Sequence, residues 1–423
     1  MSLVEKEITM QNIERARNNP ELAKYKETEH KFVSTNPDVL TELFKAQSVP
    51  IEQIYLSTPD DEFSLRVRCV YGEDGPVYTA TQKDRGELNG DALERLEVDT
   101  PISAEAFAYY QAMDLPRVQK LRTYVTEGVT VDFYDNKETP VVVEVEHSDP
   151  DVRAELIAMM QELTENTLVD QSADTALTNE ALAYRSASSE QLRSPESLDT
   201  FTKRVLGEMI AQYVTGKNQV VVGLTGMSGS GKTTVTNSLQ ASIVELFGEQ
   251  YRPIVLSTDD YHFGKKNLEE RYGAPYTAWD HPNTYNTAEL AQDLQALAEG
   301  ESLAQRHFDF ASEETIYDGI VEPSPFVIIE GLYAGSTDLS EVRDLHFALP
   351  TGLATSIGRD LRRLVIDTRA NRAFPTPESR LRYQIETAAP LYLEQVQPPR
   401  ASFSASCRPM AERAFMLNRF AEA

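Results

Sequence analysis

The chain has 423 residues, 41% of them hydrophobic, enough for two to three domains that each bury a core. Its 67 acidic residues against 40 basic ones leave a formal net charge of −27, a long-range field that repels nucleic acid and anionic lipid and so excludes both as expected partners. Cys69 and Cys407 are too few and too far apart for a disulfide framework or a zinc site; with no apolar h-region at the start and no apolar run of membrane-spanning length, the expected location is the cytoplasm.

Residues 27–146 read mostly as strands with short turns. In Glu27-Thr28-Glu29-His30-Lys31-Phe32, strand period sends Glu27, Glu29 and Lys31 to one face and His30 and Phe32 to the other. The same charged alternation recurs in Arg66-Val67-Arg68, Thr81-Gln82-Lys83, Arg95-Leu96-Glu97-Val98-Asp99, Lys120-Leu121-Arg122 and Glu144-Val145-Glu146. One such face alone points to water. Several of mixed sign suit the inside of a polar barrel, with acids for a divalent metal and Lys and Arg for phosphate oxygens. In order and in its E-x-E-x-K start, the stretch resembles the CYTH or triphosphate tunnel family over roughly residues 25–148. The resemblance implies Glu27, Glu29, Asp132, Glu144 and Glu146 as metal-side acids. It implies Lys31, Arg66, Arg68, Lys83, Arg95, Lys120 and Arg122 as triphosphate ligands, and Thr130 stands where that family often has a further glutamate.

Residues 165–200 are polar and rich in Ser, Thr and Ala, a connector with room for a helix near 173–184. Pro195 then predicts the start of a helix carrying Leu198, Phe201, Val205, Met209 and Ile210. From 219 to 349, apolar strands alternate with amphipathic helices, the pattern of an open parallel α/β sheet with strands at 220–225, 254–257, 326–330 and 345–349.

The first of these strands runs into Gly226-x4-Gly231-Lys232-Thr233 and then into a helix with Val235, Leu239, Ile243 and Phe247 on one face, stopped by Gly248. This is the Walker A phosphate loop in its strand–loop–helix setting. Gly226, Ser228, Gly229, Ser230, Gly231 and Thr234 shape the cradle, Lys232 places a charge on the β/γ oxygens, and Thr233 offers a hydroxyl to Mg²⁺. Asp259, just past the second strand, is placed to take the proton of an attacking hydroxyl or to hold Mg²⁺ through water. Glu330 ends a buried strand as a Walker B carboxylate does. Arg359, Arg362, Arg363, Arg369 and Arg372 form a basic run in an acidic chain, either a lid over phosphates or a solvated helix face.

Walker A, Ser257-Thr258-Asp259-Asp260-Tyr261, Trp279-Asp280-His281-Pro282-Asn283-Thr284-Tyr285-Asn286, Phe308-Asp309-Phe310, Ile329-Glu330-Gly331-Leu332 and the arginine run follow one another as in the uridine kinase and phosphoribulokinase family, which residues 215–400 resemble. The resemblance implies Asp259 as catalytic base, Thr233 and Glu330 on Mg²⁺ (or Mn²⁺), Asp280 and Tyr285 on the acceptor, and ATP as donor. Glu313 stands where uridine-recognising members carry a histidine. The expected architecture is therefore multidomain α+β and α/β: an antiparallel tunnel barrel at 22–165, a linker at 166–195, a P-loop domain at 196–400 and a helical tail at 401–423. The expected activity is ATP-dependent phosphorylation of a hydroxyl on a nucleoside-like acceptor (uridine or cytidine) or a sugar, beside a domain that binds triphosphate and metal. The alternatives are a metal-dependent tri- or pyrophosphatase or nucleoside triphosphatase in the barrel with a regulatory P-loop domain, a barrel that only senses polyphosphate, and adenylate cyclase chemistry. A homo-oligomer is left open.

Overall fold

The computed structural model describes residues 24–89, 92–135, 138–185, 196–276, 278–309, 312–366, 374 and 376–396. Arg369, Arg372 and the tail at 401–423 lie outside the described residues.

The amino-terminal half contains β1 (Lys26–Ser34), α1 (Pro37–Phe44), β2 (Val49–Tyr55), β3 (Phe63–Gly72), β4 (Gly75–Asp84), β5 (Glu87–Asn89), β6 (Ala92–Pro101), α2 (Ala104–Gln111), β7 (Arg117–Thr126), β8 (Val129–Tyr134), β9 (Val142–Glu146) and α3 (Pro150–Leu163). The strands run β1-β9-β8-β7-β2-β3-β4-β6, and β6 pairs back onto β1, so the antiparallel ring closes. Closure leaves an inside and an outside to every strand, and the two-residue period sorts the side chains between them. In β3, Leu65, Val67 and Cys69 are buried on the outer face, while Ser64, Arg66 and Arg68 line the interior. The outer faces of β8 and β9 pack Val129, Val131, Phe133, Val143 and Val145 with Leu40 of α1 and Met160 of α3. Asp149 caps α3 by accepting from the backbone N–H of Asp151 at 2.8 Å, and Pro150 fills the first turn, where no donor is needed.

Part of the polar segment expected as a connector belongs to the barrel wall. β10 (Leu168–Asp170) pairs with β1, and α4 (Asn179–Tyr184), capped by Thr178, lines the interior with Asn179 and Glu180.

The carboxyl-terminal half follows as α5 (Leu198–Val214), β11 (Val220–Thr225), α6 (Lys232–Phe247), β12 (Ile254–Ser257), α7 (Lys265–Tyr272), α8 (Thr287–Ala298), the hairpin β13 (Leu303–Asp309) and β14 (Glu314–Val321), β15 (Phe326–Gly331), β16 (Leu345–Ala348), α9 (Leu353–Ile366), α10 (Pro377–Tyr383) and α11 (Ala389–Val396). Four parallel strands lie in the order β12-β15-β11-β16. β11 is buried at all six positions, as a strand covered on both faces must be. One face packs α5 and α6 through Phe201, Val205, Met209, Val235, Leu239 and Ile243; the other packs α8 through Leu290, Leu294 and Leu297. The architecture is the one expected, a closed antiparallel barrel followed by a P-loop α/β sheet.

The two halves share a core. Ile54, Leu65, Val67, Ala80, Phe107 and Tyr110 of the barrel side form one apolar cluster with Ile357 and Leu361 of α9, Leu381 of α10, and Ile385, Ala389 and Tyr392 beyond it. The Tyr110 hydroxyl reaches the Ile385 carbonyl at 2.8 Å. Among the described residues no helix is long and apolar enough to cross a membrane.

Candidate functional site

The phosphate loop sits between the end of β11 and the start of α6, at the carboxyl edge of the parallel sheet, where such sheets bind ligands. Gly231 holds φ +95° as the residue before α6, so the first N–H groups of that helix, which have no partner within it, open toward the loop. Gly229 holds φ +79°, and a Cβ there would strike the Ser356 carbonyl oxygen of α9. Gly229→Ala is therefore expected to cost about 1–3 kcal/mol of backbone strain before any clash and to weaken ATP by about tenfold or more in a calorimetric titration.

Lys232 Nζ donates to the carbonyls of Gly226 at 3.0 Å and Met227 at 3.1 Å and lies 4.0 Å from Glu330 Oε2. Ser230 Oγ, Thr258 Oγ1 and that same Glu330 oxygen are buried without a hydrogen-bond partner. Such orphans are costly unless a further group satisfies them. A carboxylate oxygen and hydroxyls are the donor chemistry a magnesium-class ion takes, so the residues present fit one. Thr233 is exposed on the first turn of α6, and Thr234 beside it.

Asp259 follows β12 in a short 3₁₀ turn, its N–H held by Ser257 Oγ at 3.3 Å. Burial pushes its carboxyl up to about 6; Lys232 opposes the shift, and the charges of Glu330, Asp280 and Asp260 add to it. Asp280 is tied through its Oδ2, which accepts from the Tyr383 hydroxyl at 2.7 Å, and its carbonyl accepts from the Tyr333 hydroxyl. Burial raises its carboxyl as well. Tyr285 packs against Tyr333, with ring centroids 4.8 Å apart, and edge-on to His262 at 5.4 Å; His262 in turn stacks on Trp279 at 5.8 Å and leans on Phe308 at 4.7 Å. Burial lowers the His262 imidazole to about 4, so it is neutral near pH 7. Glu313, at φ +60°, lies 3.8 Å from Lys265.

The described members of the arginine run, Arg359, Arg362 and Arg363, do not form a closed lid in this arrangement. Arg359 Nε lies 2.8 Å and Arg362 Nη2 3.0 Å from the carboxylate of Glu62, on the barrel side, and Arg363 is exposed. A carboxylate from the other half of the chain takes both guanidinium groups. The acid of that helix whose side chain meets the phosphate loop is one the sequence reading missed. Asp360 accepts from Ser228 Oγ at 2.7 Å, Arg380 Nε at 2.7 Å and Gln384 Nε2 at 2.8 Å. Burial opposes its ionisation, but Arg380 and these hydrogen bonds hold its carboxyl below the usual range. Its signal was an acid set between Arg359 and Arg362; Arg380 and Tyr383, three apart on α10, carry the i,i+3 spacing of one helix face.

The barrel encloses a cavity of about 1220 Å³ lined by Glu27, Glu29, Lys31, Arg66, Arg68, Lys83, Arg95, Arg122, Glu144 and Glu146. Cross-strand register explains the pairing of charges. Glu27 opposes Arg95, Lys31 opposes Glu144 and Lys83 opposes Glu97. Lys83 Nζ is 2.8 Å from Glu27 and 2.5 Å from Glu97; Lys31 Nζ is 2.5 Å from Glu29 and 3.0 Å from Glu144; Arg95 Nη2 is 2.9 Å from Glu29. Among the described residues no three His, Cys, Asp or Glu side chains converge as a metal-holding group; of the expected metal-side acids, Glu27, Glu29, Asp132 and Glu144 are paired with cations. Burial, then the charges of Glu27, Glu97 and Glu29 against that of Lys83, push Glu146 up to about 7. Arg66 Nε and Thr130 Oγ1 are buried without partners. Two expected ligands are not on the cavity wall: Asp132 and Lys120 are fully buried, paired at 2.5 Å, because strand period names the inward side but not the depth.

Residues 221–365 match the model of the Phosphoribulokinase / Uridine kinase family. The chain is 28% identical over 185 residues to a uridine kinase of Staphylococcus haemolyticus, covering 43% of this chain and 83% of that one, and 29% identical over 186 residues to one of Clostridium perfringens, with the same shares. An inorganic triphosphatase of solved structure aligns at 23% identity over 38% of this chain and 97% of its own, with a TM-score of 0.25. Residues 221–365 of this chain are thus similar to the kinases of the phosphoribulokinase and uridine kinase family.

Proposed function

We propose that the protein transfers the γ-phosphoryl group of ATP to a hydroxyl of a nucleoside, or of a sugar-like acceptor. The observation that carries the reading is Asp259. It is a buried carboxyl of pKa about 6 that shares one charged neighbourhood with Lys232, Glu330 and Asp280 at the carboxyl edge of the sheet. Near pH 7 such a group is mostly ionised yet basic enough to accept a hydroxyl proton, the balance a general base needs. Lys232 and the N–H groups of the loop hold the phosphates and stabilise the charge that spreads over the transferring group. Asp280, held by Tyr383 and Tyr333, offers a fixed carboxylate to acceptor hydroxyls. The ring cluster of His262, Trp279, Tyr285 and Phe308 gives an aromatic wall for a base or sugar face. Glu330 and Thr233 are the residues that would hold Mg²⁺, whose chemistry there is to neutralise β/γ charge.

The barrel, in the same reading, takes a triphosphate. The unpartnered Nε of Arg66 beside Arg68, Lys83 and Arg95 supports it. Four of the carboxylates that would hold a metal there, Glu27, Glu29, Asp132 and Glu144, are paired with cations, and no step through such an ion is derived. Glu146, near neutrality, is the observation that favours the second reading, hydrolysis of tripolyphosphate in the barrel with a carboxyl as proton acceptor.

One experiment separates the two. The purified chain is incubated with ATP, magnesium and a panel of nucleosides and sugars, and separately with tripolyphosphate, and products are resolved by phosphorus NMR. A phosphorylated acceptor that disappears in Lys232→Ala and persists in Glu27→Ala is the expected result. No phosphorylated acceptor, with phosphate released from tripolyphosphate and lost in Glu27→Ala, would establish the second reading instead.

A further inference from the structure

Between barrel and kinase runs a chain of polar contacts that neither site needs for its own chemistry. It starts at Arg85, on the cavity wall, which pairs there with Glu180. The same guanidinium donates to the carbonyls of Asp61 at 2.8 Å, Thr58 at 2.6 Å and Phe63 at 3.3 Å, and so sets the shape of loop 58–63. That loop presents two acids to α9. Asp61 accepts from Thr355 Oγ1 at 2.9 Å, and Glu62 takes both Arg359 and Arg362, the latter also lying over the Phe63 ring at 4.8 Å. On the same helix Asp360 grips Ser228 of the phosphate loop, and the Ser356 carbonyl abuts Gly229.

We propose that Glu62 is an inhibitory stand-in for phosphate: it holds Arg359 and Arg362 away from the nucleotide, and a polyphosphate anion entering the barrel releases them by drawing Arg85 off loop 58–63. The inference rests on the reading above, in which the loop holds ATP and the cavity holds a polyanion. Its physical basis is competition for cations. One carboxylate shared by two guanidinium groups, all three partly exposed, makes a contact that screening keeps weak. A polyphosphate carries several charges and reaches Arg85 from the enclosed side, where attraction is less screened. The clasped state orders the loop and the released state frees the arginines. A ligand that contacts Arg85 better in the released state must shift the balance toward it.

The test measures initial rates of acceptor phosphorylation at saturating ATP, so that added tripolyphosphate cannot compete at the phosphate loop. Glu62→Gln is expected to raise kcat by about fivefold or more, in the range of ordinary allosteric couplings. Tripolyphosphate should stimulate the unmodified chain to a similar level and add little to the variant. Glu62→Asp, one methylene shorter, should fall between the two, and it decides by the same criteria should the Gln variant not fold. A kcat in Glu62→Gln equal to or below that of the unmodified chain overturns the proposal, as does equal stimulation of both by tripolyphosphate. Absence of any phosphorylated acceptor in the unmodified chain would instead remove the kinase reading on which it rests.

Discussion

Asp259→Asn is expected to lower kcat by about 10²–10⁴-fold, the range a positioned general base supplies, while leaving ATP affinity within a few-fold of its starting value. The substitution keeps the size of the side chain and removes only its capacity to accept a proton. The pH profile makes the prediction specific to this carboxyl. Its ordinary value of 3.8 is raised to about 6, chiefly by burial. The base form therefore predominates above that pH and is lost as pH falls through it. For the unmodified chain, kcat should climb through about pH 6 to a plateau near neutrality. In the Asn variant the residual rate should lose this acid limb. Initial rates at saturating ATP and acceptor, taken from about pH 5 to pH 8, check both statements. A limb that persists in the variant would assign the titration to another group. Glu330 and Asp280 would be the next to replace, because their charges already act on Asp259.

The phosphate loop was legible because its chemistry is local. A backbone that must turn its N–H groups inward needs glycine at positions such as Gly229 and Gly231, both at positive φ, and the adjoining Lys232 can reach only what the loop surrounds. The barrel was legible for a related reason. Charges alternating at strand period on several segments have no other enclosed arrangement that pairs them, and the closed ring opposes Glu27 with Arg95 and Lys31 with Glu144. What stayed hidden depends on tertiary placement. Nothing in the run from Arg359 to Arg363 records that Glu62, some three hundred residues earlier, would face it. Asn179 and Glu180 lie in a polar stretch whose composition suits a connector, yet the pairing of β10 with β1 draws that stretch onto the barrel wall. Asp360, Arg380 and Tyr383 act through residues that do touch the site, and a single sequence carries no mark of that indirect role.

Asp132→Ala tests the distinction between cavity wall and buried support and should be the most destabilising single change in the barrel. The Asp132 side chain is fully buried and accepts from Lys120 Nζ at 2.5 Å, Arg122 Nε at 2.7 Å and Arg122 Nη2 at 2.6 Å. Its removal strands two cations in the wall, and breaking such a pair costs about 3–5 kcal/mol because the charge left behind remains desolvated. Arg122 keeps Glu144 at 2.6 Å and cannot shed its proton. Lys120 keeps only the neutral Asn179 oxygen at 3.0 Å as a hydrogen-bond partner and can deprotonate. Burial and the charge of Arg122 already lower its ammonium from 10.5 to about 7, and loss of Asp132 must lower it further. The folded variant then gives up this proton at a lower pH than the folded unmodified chain does, so between the two values the variant gains stability relative to the unmodified chain as pH rises. The Lys120 share of the loss should accordingly be largest in acid and vanish above about pH 7, where both proteins hold the amine neutral, leaving the Arg122 share. Urea titrations followed by circular dichroism at about pH 6 and pH 8 should show a smaller deficit at the higher pH. A loss under about 1 kcal/mol at both would mean that water reaches the pair, and Asp132 would then return to the list of residues open to the cavity.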